Sequence, residues 1–450
     1  MRKVLMIAYY FPPLGWSGVQ RTLKFVKYLR NFDWEPIVVT VGKTKFSILD
    51  ESLVGEIPKG IEIIRIDDVV LKDVTDVIKK QMKEYVDVSI NLISDENLEK
   101  IYEEEIEKKF NELRDLLLIP DGNAIWANNV IKTIRNKIDF EIIDAVYTTS
   151  GPYSAHIIGE YIRKEYSIPW IADFRDQWIN NPYIDYDKNS LRYKIEKSME
   201  KSVVLNCDRL ITATPIITEN YISKYKIEKN EVTTITNGYD EEDFKSIKPK
   251  KQNNKFTIVH NGSFYLKRNP YTVAKVIKKL VENKIIDWKR IEIILNGNND
   301  SNIINKFKEI MGKYSCIITI NGYISHEESL IKSNNADILL LICGEEESSK
   351  QVYTGKVFEY LRLRKPVLSI SPKGSLVEKL LDETECGINA EYNDIETIEK
   401  IILNYYNSWL KGNKIKVGSK NIEKYERKEL TKKLVEIFNE ACCQNLFINN

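Results

Sequence analysis

Histidine is scarce in this chain: His156, His260 and His326 are the only three, far apart and in no HxxxH or HExxH arrangement. A histidine-based zinc site therefore lacks ligands, and any metal chemistry would have to rest on carboxylates. Cysteine is also sparse. The six thiols (Cys207, Cys316, Cys343, Cys386, Cys442 and Cys443) form no CxxC pair and no regular framework, and several interrupt apolar runs as small hydrophobes. That usage argues against a disulfide scaffold and fits a reduced cytoplasm. Charge of one sign is missing too, since 67 Lys+Arg against 66 Asp+Glu leave a formal net charge of +1. No field is available to hold a polyanion by counterion release, which disfavours a general nucleic-acid binder. No stretch reaches the roughly 18 uninterrupted apolar residues of a membrane span. The opening MRKVLMIAYYFPPLG lacks the long apolar region and small-residue cleavage site of a signal peptide, and reads as a first strand.

What is present is ample and ordinary. At roughly 150 residues per domain, 450 residues make two large domains or three smaller ones. With 43% hydrophobic and 30% charged residues, the chain has the balance of a folded globular enzyme. Val4 to Tyr10 is a short apolar run of the kind buried on both faces of a parallel sheet. After the loop FPPLGWSG, Val19, Leu23, Val26, Tyr28 and Leu29 approximate a helical stripe, and the strand PIVVTV follows. Such β-α-β units bind ligands at the carboxyl ends of their strands. Alternation resumes with DAVYTT and runs through PWIADF, DRLITAT and VTTITNG; it restarts at Phe256 with FTIVHNG, IEIILNG, IITING, DILLLIC, KPVLSISP and GINAE.

This pattern predicts an α/β protein with two consecutive parallel sheets and a ligand cleft between them. Residues 1–238 form the first domain, with a charged helical insertion around 46–129 typified by VIKKQMKEYVDV and LEKIYEEEIEKKFNELRDLL. The insertion's charge runs read as a solvated helix face, with an acceptor lid or membrane-surface contact as the functional alternative. Residues 239–255 are polar and aperiodic and read as a linker. The second domain covers 256–410, and 411–450 is a helical tail that could pack back on the first.

The segment TGKVFEYLRLRKPVLSI carries the sharpest signal. Gly355 opens a helix after a polar loop, so free N–H groups and the positive helix end make a seat for phosphate. Glu359 lies about 6 Å further along the axis on the same side, where its carboxylate can accept from two ribose hydroxyls or pair with Lys356. In GSFYLKRNP, Lys267 and Arg268 precede Pro270 at the end of the second domain's first strand. They either neutralise a departing diphosphate or are merely solvated. GWSGVQR brings Gly18 to a helix start, as a turn glycine or as a point of close ligand approach. This is not GxGxxG, and no acidic residue closes the second strand, so NAD chemistry is disfavoured.

TTSGPYSAH puts Ser150 near a helix cap and His156 one turn in, where the helix end favours a neutral imidazole. His156 then either hydrogen-bonds a sugar hydroxyl at the reacting centre or packs under the sheet. In IADFRDQW, Asp173, Arg175 and Asp176 follow a strand and point into the cleft, as a structural pair or an acceptor-binding group.

Taken in order, YYFPPLGWSGVQR, SGPYSAH, IPWIADFRDQW, ITNGYD, GSFYLKRNP and GKVFEYLRLRKPVLSI resemble a family-4-type glycosyltransferase of the GT-B architecture, two Rossmann-like domains facing a central cleft. The resemblance spans most of the chain and is weakest between Phe46 and Asn129. It implies transfer of a sugar from a nucleotide-diphosphate-sugar to a hydroxyl acceptor, normally with retention and without a bound metal or other cofactor. Position by position, Glu359 would bind the donor ribose, Thr354 and Gly355 the phosphates, and Lys267 and Arg268 the diphosphate. Ser263 and Lys356 join the donor set, Gly18 lines the cleft, and His156 contacts the transferred sugar. Two positions depart from the family pattern: Gln351 stands where a first carboxylate is usual, and GWSG replaces an adjacent glycine pair. An amide can hydrogen-bond a sugar hydroxyl but cannot stabilise developing positive charge; Glu345, Glu346 or Glu347 would have to substitute.

The expected setting is cytoplasmic or membrane-peripheral surface-glycan assembly, with a glycan or lipid-linked glycan as acceptor. Two alternatives stay open. One is a nucleotide-sugar 2-epimerase of the same fold, and the other is a non-catalytic glycan- or nucleotide-binding protein.

Overall fold

The computed structural model describes residues 1–44, 48–68, 96–181, 184, 186–248, 254–265, 267–413, 415 and 417–448. The chain divides into two compact units, one of 1–235 with 431–450 and one of 236–430.

In the first unit, seven strands form one parallel sheet: β1 (Arg2–Ile7), β2 (Trp34–Val41), β3 (Glu62–Ile66), β4 (Ala145–Thr149), β5 (Trp170–Phe174), β6 (Arg209–Thr212) and β7 (Val232–Thr234). Their order is β3-β2-β1-β4-β5-β6-β7, which reverses direction of winding between β1 and β4. In open sheets of this kind, that reversal opens a crevice at the carboxyl ends of the strands. The helices here are α1 (Ser17–Leu29), α2 (Glu96–Leu117), α3 (Ala124–Ile134), α4 (Ser154–Tyr166), α5 (Leu191–Asn206) and α6 (Pro215–Tyr225). Local chemistry sets their starts. Ser190 caps α5 by accepting from the Tyr193 N–H, and Thr214 caps α6 ahead of Pro215 in the first turn.

The second unit repeats the plan with six parallel strands in the order β10-β9-β8-β11-β12-β13. They are β8 (Phe256–Asn261), β9 (Ile291–Asn296), β10 (Ile318–Gly322), β11 (Ile338–Ile342), β12 (Val367–Ile370) and β13 (Gly387–Ala390). The helices are α7 (Tyr271–Glu282), α8 (Ser301–Met311), α9 (His326–Asn334), α10 (Gly355–Leu363), α11 (Leu376–Thr384), α12 (Ile395–Leu410) and α13 (Arg427–Ile448). Two apolar clusters explain why ILLLI can be apolar throughout. Ile338, Leu340 and Ile342 face one, with Val276, Leu280 and Ile402, while Leu339 and Leu341 face the other, with Phe358 and Leu380. Side chains alternate across the strand, and helices cover both faces of the sheet.

The charged stretch expected to be an insertion from residue 46 contains a sheet strand. Ile37 to Val41 pair in parallel with Glu62 to Ile66, so β3 is the edge of the first sheet. Its pattern of buried and exposed residues is that of a strand covered on one face, which is why it reads as polar. VIKKQMKEYVDV lies outside the described residues; LEKIYEEEIEKKFNELRDLL is helical, within α2. In the stretch expected to be a linker, Tyr239 and Phe244 are buried in the second unit's core, and Glu241–Phe244 form a 3-10 turn. The Tyr239 N–H donates to the Tyr425 carbonyl, and the Arg427 N–H donates to the Tyr239 carbonyl. A Cβ on Gly238 would lie 2.0 Å from that Tyr425 oxygen, so only glycine lets these strands of chain meet.

From Thr431 onward α13 belongs to the first unit, where Phe438 packs on Trp34 at 5.1 Å and Asn439 accepts from Arg2 at 3.0 Å. No helix among the described residues is long and apolar enough to cross a membrane.

Gly159 supplies a test of this packing. In an open helix, glycine to alanine gains up to about 1 kcal/mol. Here a Cβ would lie 2.2 Å from Trp170 Nε1 and 2.7 Å from Thr148 Cγ2, both buried. Gly159→Ala should therefore destabilise by about 1–3 kcal/mol, the usual cost of overpacking, as read by urea denaturation.

Candidate functional site

Three neighbouring strands of the second sheet end in the same dipeptide: Asn261-Gly262, Asn296-Gly297 and Asn321-Gly322. Their side chains form a ladder across the carboxyl edge. The Asn321 amide donates to Asn296 at 2.7 Å, Asn296 donates to Asn261 at 2.7 Å, and Asn261 donates to Ser333 Oγ at 2.5 Å. The glycines then turn through left-handed backbone, with φ of 147° at Gly262 and 139° at Gly297. The Gly262 N–H reaches the Asn296 carbonyl at 2.7 Å. Sequence reading passed over this ladder, although the repeated Asn-Gly at strand ends was its visible signal.

Above this floor the cations gather. A Cβ at Gly262 would lie 2.7 Å from Lys356 Nζ and 3.2 Å from His260 Nε2, so the missing side chain makes room for the ammonium. Burial pushes the Lys356 amine down to about 8; Glu359 opposes that shift, and Arg268 adds to it. His260 Nδ1 donates to the Leu340 carbonyl at 2.9 Å, and its ring stacks on Phe264 at 4.4 Å. Its Nε2 is buried without a hydrogen-bond partner. Burial, with Lys356 and Arg268 nearby, holds the imidazole neutral with a pKa of about 3. Lys267 is exposed and pairs with Glu346 at 3.0 Å, while the Arg268 guanidinium lies 5.1 Å over the Tyr265 ring. Ser263 is half-buried in the same loop.

Thr354 precedes α10 without capping it, and its buried Oγ1 has no partner. Nothing lies within 4 Å of a Cβ built on Gly355, so the helix start faces open space. One turn on, Glu359 Oε1 accepts from His326 Nε2 at 2.8 Å. The second unit thus brings Ser263, Lys267, Arg268, Thr354, Gly355, Lys356 and Glu359 to one edge. His326 joins them unforeseen, since in sequence it is only the first residue of a helix capped by Ser325.

Beside them, a pocket of about 480 Å³ is lined by Glu345, Pro372, Glu391, Tyr392, Asn393 and Asp394. The Tyr392 hydroxyl donates to the Cys343 carbonyl; burial chiefly pushes its pKa up, Glu345 adds to that and Arg268 opposes it.

The first unit departs further from expectation. Arg175 clamps the loops at the carboxyl edge of its sheet, donating to the carbonyls of Gly18 at 2.5 Å, of Gly151 at 2.9 Å and of Ser150. A Cβ on Gly18 would lie 3.2 Å from that guanidinium and 3.3 Å from the Trp16 ring. Asp176 is half-buried beside this clamp.

Asp173, placed in the cleft as a structural pair or an acceptor-binding group, is fully buried and makes the structural pair. Arg21 grips it at 2.7 and 2.8 Å, and the hydroxyls of Tyr147 and Thr149 donate to it at 2.5 and 3.1 Å. Burial opposes its ionisation, but Arg21 and Tyr147 outweigh that and hold the carboxyl below its ordinary range. Its place is inside the fold, because the last residues of β5 are covered on both faces.

His156 also needs correction. It is fully buried, stacked on Phe174 at 4.5 Å, with Nδ1 2.8 Å from Thr148 Oγ1. The Trp170 indole donates to that same hydroxyl at 2.8 Å. The side chain lies on the sheet-facing side of α4 and presents nothing to a ligand. Its imidazole is neutral, with a pKa of about 3, chiefly through burial rather than through the helix end.

No family model matches the chain, and no curated protein matches it. Solved structures do share its fold along almost its whole length. A glycosyltransferase from Rickettsia africae aligns with a TM-score of 0.62 at 17% identity, covering 98% of each chain. HepE from Anabaena, in complex with UDP-glucose, gives 0.61 at 10% identity over 98% of this chain and 100% of its own. A protein from Listeria monocytogenes assigned as a UDP-N-acetylglucosamine 2-epimerase gives 0.54 at 10% identity over 96% and 94%. At these identities the likeness establishes the fold, an α/β chain of two parallel sheets of the GT-B type.

The two neutral histidines fix the sign of the acid response. Their folded pKa of about 3 lies below the ordinary 6.5, so between those values the unfolded chain binds more protons and stability falls as pH falls. At pH 5 each should have lost about 2 kcal/mol relative to pH 7. Urea midpoints at the two pH values check this, and His260→Leu should flatten the dependence by one histidine's share.

Proposed function

We propose that this chain is a family-4-type glycosyltransferase that moves a sugar from a nucleoside-diphosphate-sugar to a hydroxyl acceptor, with retention and without a metal ion. The observation that carries the reading is the convergence of Lys356, Arg268 and the open start of α10 above Gly262. Two cations and a row of helix N–H groups on one edge suit a diphosphate, whose negative charge grows as it leaves the sugar. Glu359 stands one turn further along α10, where its carboxylate would accept from ribose hydroxyls. The sugar would occupy the pocket beside Tyr392, where Glu345 supplies a carboxylate that Gln351 cannot. The bond from the anomeric carbon to the diphosphate oxygen breaks, the acceptor oxygen bonds to that carbon on the same face, and the hydroxyl proton passes to the departing phosphate. Glycosyltransferases of the same fold support the reading, one of them in complex with UDP-glucose.

The acceptor is a glycan or lipid-linked glycan in the synthesis of surface polysaccharide, in the cytoplasm or at the inner face of the membrane. The epimerase reading has the Listeria fold match in its favour. Product analysis separates the two: an isomerised sugar nucleotide marks an epimerase, and free nucleoside diphosphate with an extended glycan marks a transferase.

A thermal-shift panel of uridine, guanosine, cytidine and adenosine diphosphates and their sugars tests the donor seat. Stabilisation of about 2.7 kcal/mol is expected at one hundred times the dissociation constant. No response to any member would sink the reading. Lys267→Ala/Arg268→Ala should lower turnover at saturating donor by about 10²–10³, the usual cost of lost leaving-group stabilisation. Stability should barely change, because the exposed Lys267–Glu346 pair contributes about 0–1 kcal/mol.

A pH titration tests Lys356 directly. With a pKa of about 8, its charge is largely present at pH 7 and largely lost at pH 9. Diphosphate affinity should weaken by up to about tenfold between them. Lys356→Arg, which stays charged, should remove that part of the dependence.

A further inference from the structure

His326 belongs to α9 and Glu359 to α10, thirty-three positions apart in sequence, yet Nε2 and Oε1 are 2.8 Å apart. Their side chains are 16% and 18% exposed, so the pair is shielded from bulk water without being sealed. On the other side of the ring, Nδ1 lies 4.0 Å from Asp243 Oδ2. Asp243 sits in the 3-10 turn Glu241–Phe244, and Arg362 of α10 grips Glu241 of that same turn at 2.5 Å. Three elements of the second unit thus hold the imidazole between two carboxylates, with the turn carrying Asp243 pinned to the helix that carries Glu359.

A glutamate on an open helix face has three rotatable torsions to lose when it binds a ligand. A fixed donor on one oxygen removes much of that freedom beforehand. A carboxylate has about four lone-pair sites, so one bond to imidazole leaves it acceptor capacity. We propose that His326 is a positioning residue for Glu359, orienting its carboxylate to accept from the 2′- and 3′-hydroxyls of a nucleoside diphosphate. This rests on the donor-site reading given above and extends it to a residue that touches neither phosphate nor sugar.

Binding calorimetry tests it with two ligands: whichever of the four nucleoside diphosphates gives the largest thermal shift, and its 2′,3′-dideoxy counterpart. The native protein should prefer the ribonucleotide at least tenfold, and Glu359→Ala should bring that ratio close to one. His326→Phe keeps a ring without the donor. It should cut the ratio at least fivefold while changing affinity for the dideoxy compound less than twofold. His326→Gln, whose amide can donate from a similar place, should restore most of the preference. Melting temperatures without ligand report folding, and His326→Ala replaces the phenylalanine variant if that one does not fold.

A native ratio in folded His326→Phe, alongside loss in Glu359→Ala, overturns the positioning role and leaves the donor-site reading standing. Equal binding of the two nucleotides by the native protein removes the ribose role of Glu359, and the proposal with it. If no nucleoside diphosphate binds, the donor-site reading fails first.

Discussion

The second unit is organised around an ammonium group that occupies the space of a missing side chain. Lys356 Nζ stands where any Cβ on residue 262 would intrude, with Arg268 acting on it and a buried, neutral His260 below. Burying an ammonium is unfavourable by itself, and the depressed basicity of Lys356 reflects chiefly that burial, with Arg268 adding to it and Glu359 opposing it. The Asn-Gly strand ends make it feasible: the amide ladder locks three loops together, and the glycines let backbone approach backbone. An anion of matching size placed here would offset both the burial of the ammonium and its repulsion from Arg268.

The first unit uses charge in the opposite way. Arg21 and Asp173 are both buried and satisfy one another through two hydrogen bonds, with two hydroxyls completing the carboxylate. A pair of that kind holds β5 against α1, and removing one partner would strand the other in a medium that cannot solvate it. Arg175, two residues on, spends its guanidinium on three main-chain carbonyls and fixes the loop that ends at Gly18. Carboxylate and guanidinium at the end of one strand therefore do structural work, whereas Lys267 and Arg268, exposed or half-buried, remain on a surface a ligand can reach.

This contrast explains what could be read before folding. Both parallel sheets were legible, because short runs such as VLMI in the first and ILLLI in the second are apolar without alternation and helical stripes separate the strands. The gathering of Ser263, Lys267 and Arg268 at the sheet's carboxyl edge follows from their place two to seven positions after β8 ends at Asn261, whereas Thr354, Gly355, Lys356 and Glu359 are brought there by the start of α10. β3 was hidden because it is an edge strand covered on one face, with Arg65 exposed on the other and Glu62 exposed at its first position. Asp173 and His156 were left open between a ligand and a structural role for one reason: a polar side chain near a strand end faces either the crevice or the sheet, and sequence spacing does not say which. Burial and partners decide that, and the partners Arg21, Tyr147 and Thr148 come from other elements. His326 was beyond reach in the same way, because its importance lies entirely in a contact across two helices.

Gln351 bears on how such a site would divide its labour. It closes the 3-10 turn Glu347–Gln351, and an amide there can hold a sugar hydroxyl without stabilising a cationic carbon. Of the neighbouring glutamates, Glu346 is engaged with Lys267, while Glu345 lines the pocket beside Tyr392. Weaker stabilisation at the sugar shifts the demand to the leaving group, whose charge develops as the glycosidic bond breaks. On that reading the demand would fall on an ammonium over a glycine, a guanidinium on an aromatic ring, and an uncapped helix start whose Thr354 hydroxyl has no partner among the described residues. On the proposed function, an amide at Gln351 and the crowding of cations would express a single electrostatic choice, with the reaction driven from the diphosphate side.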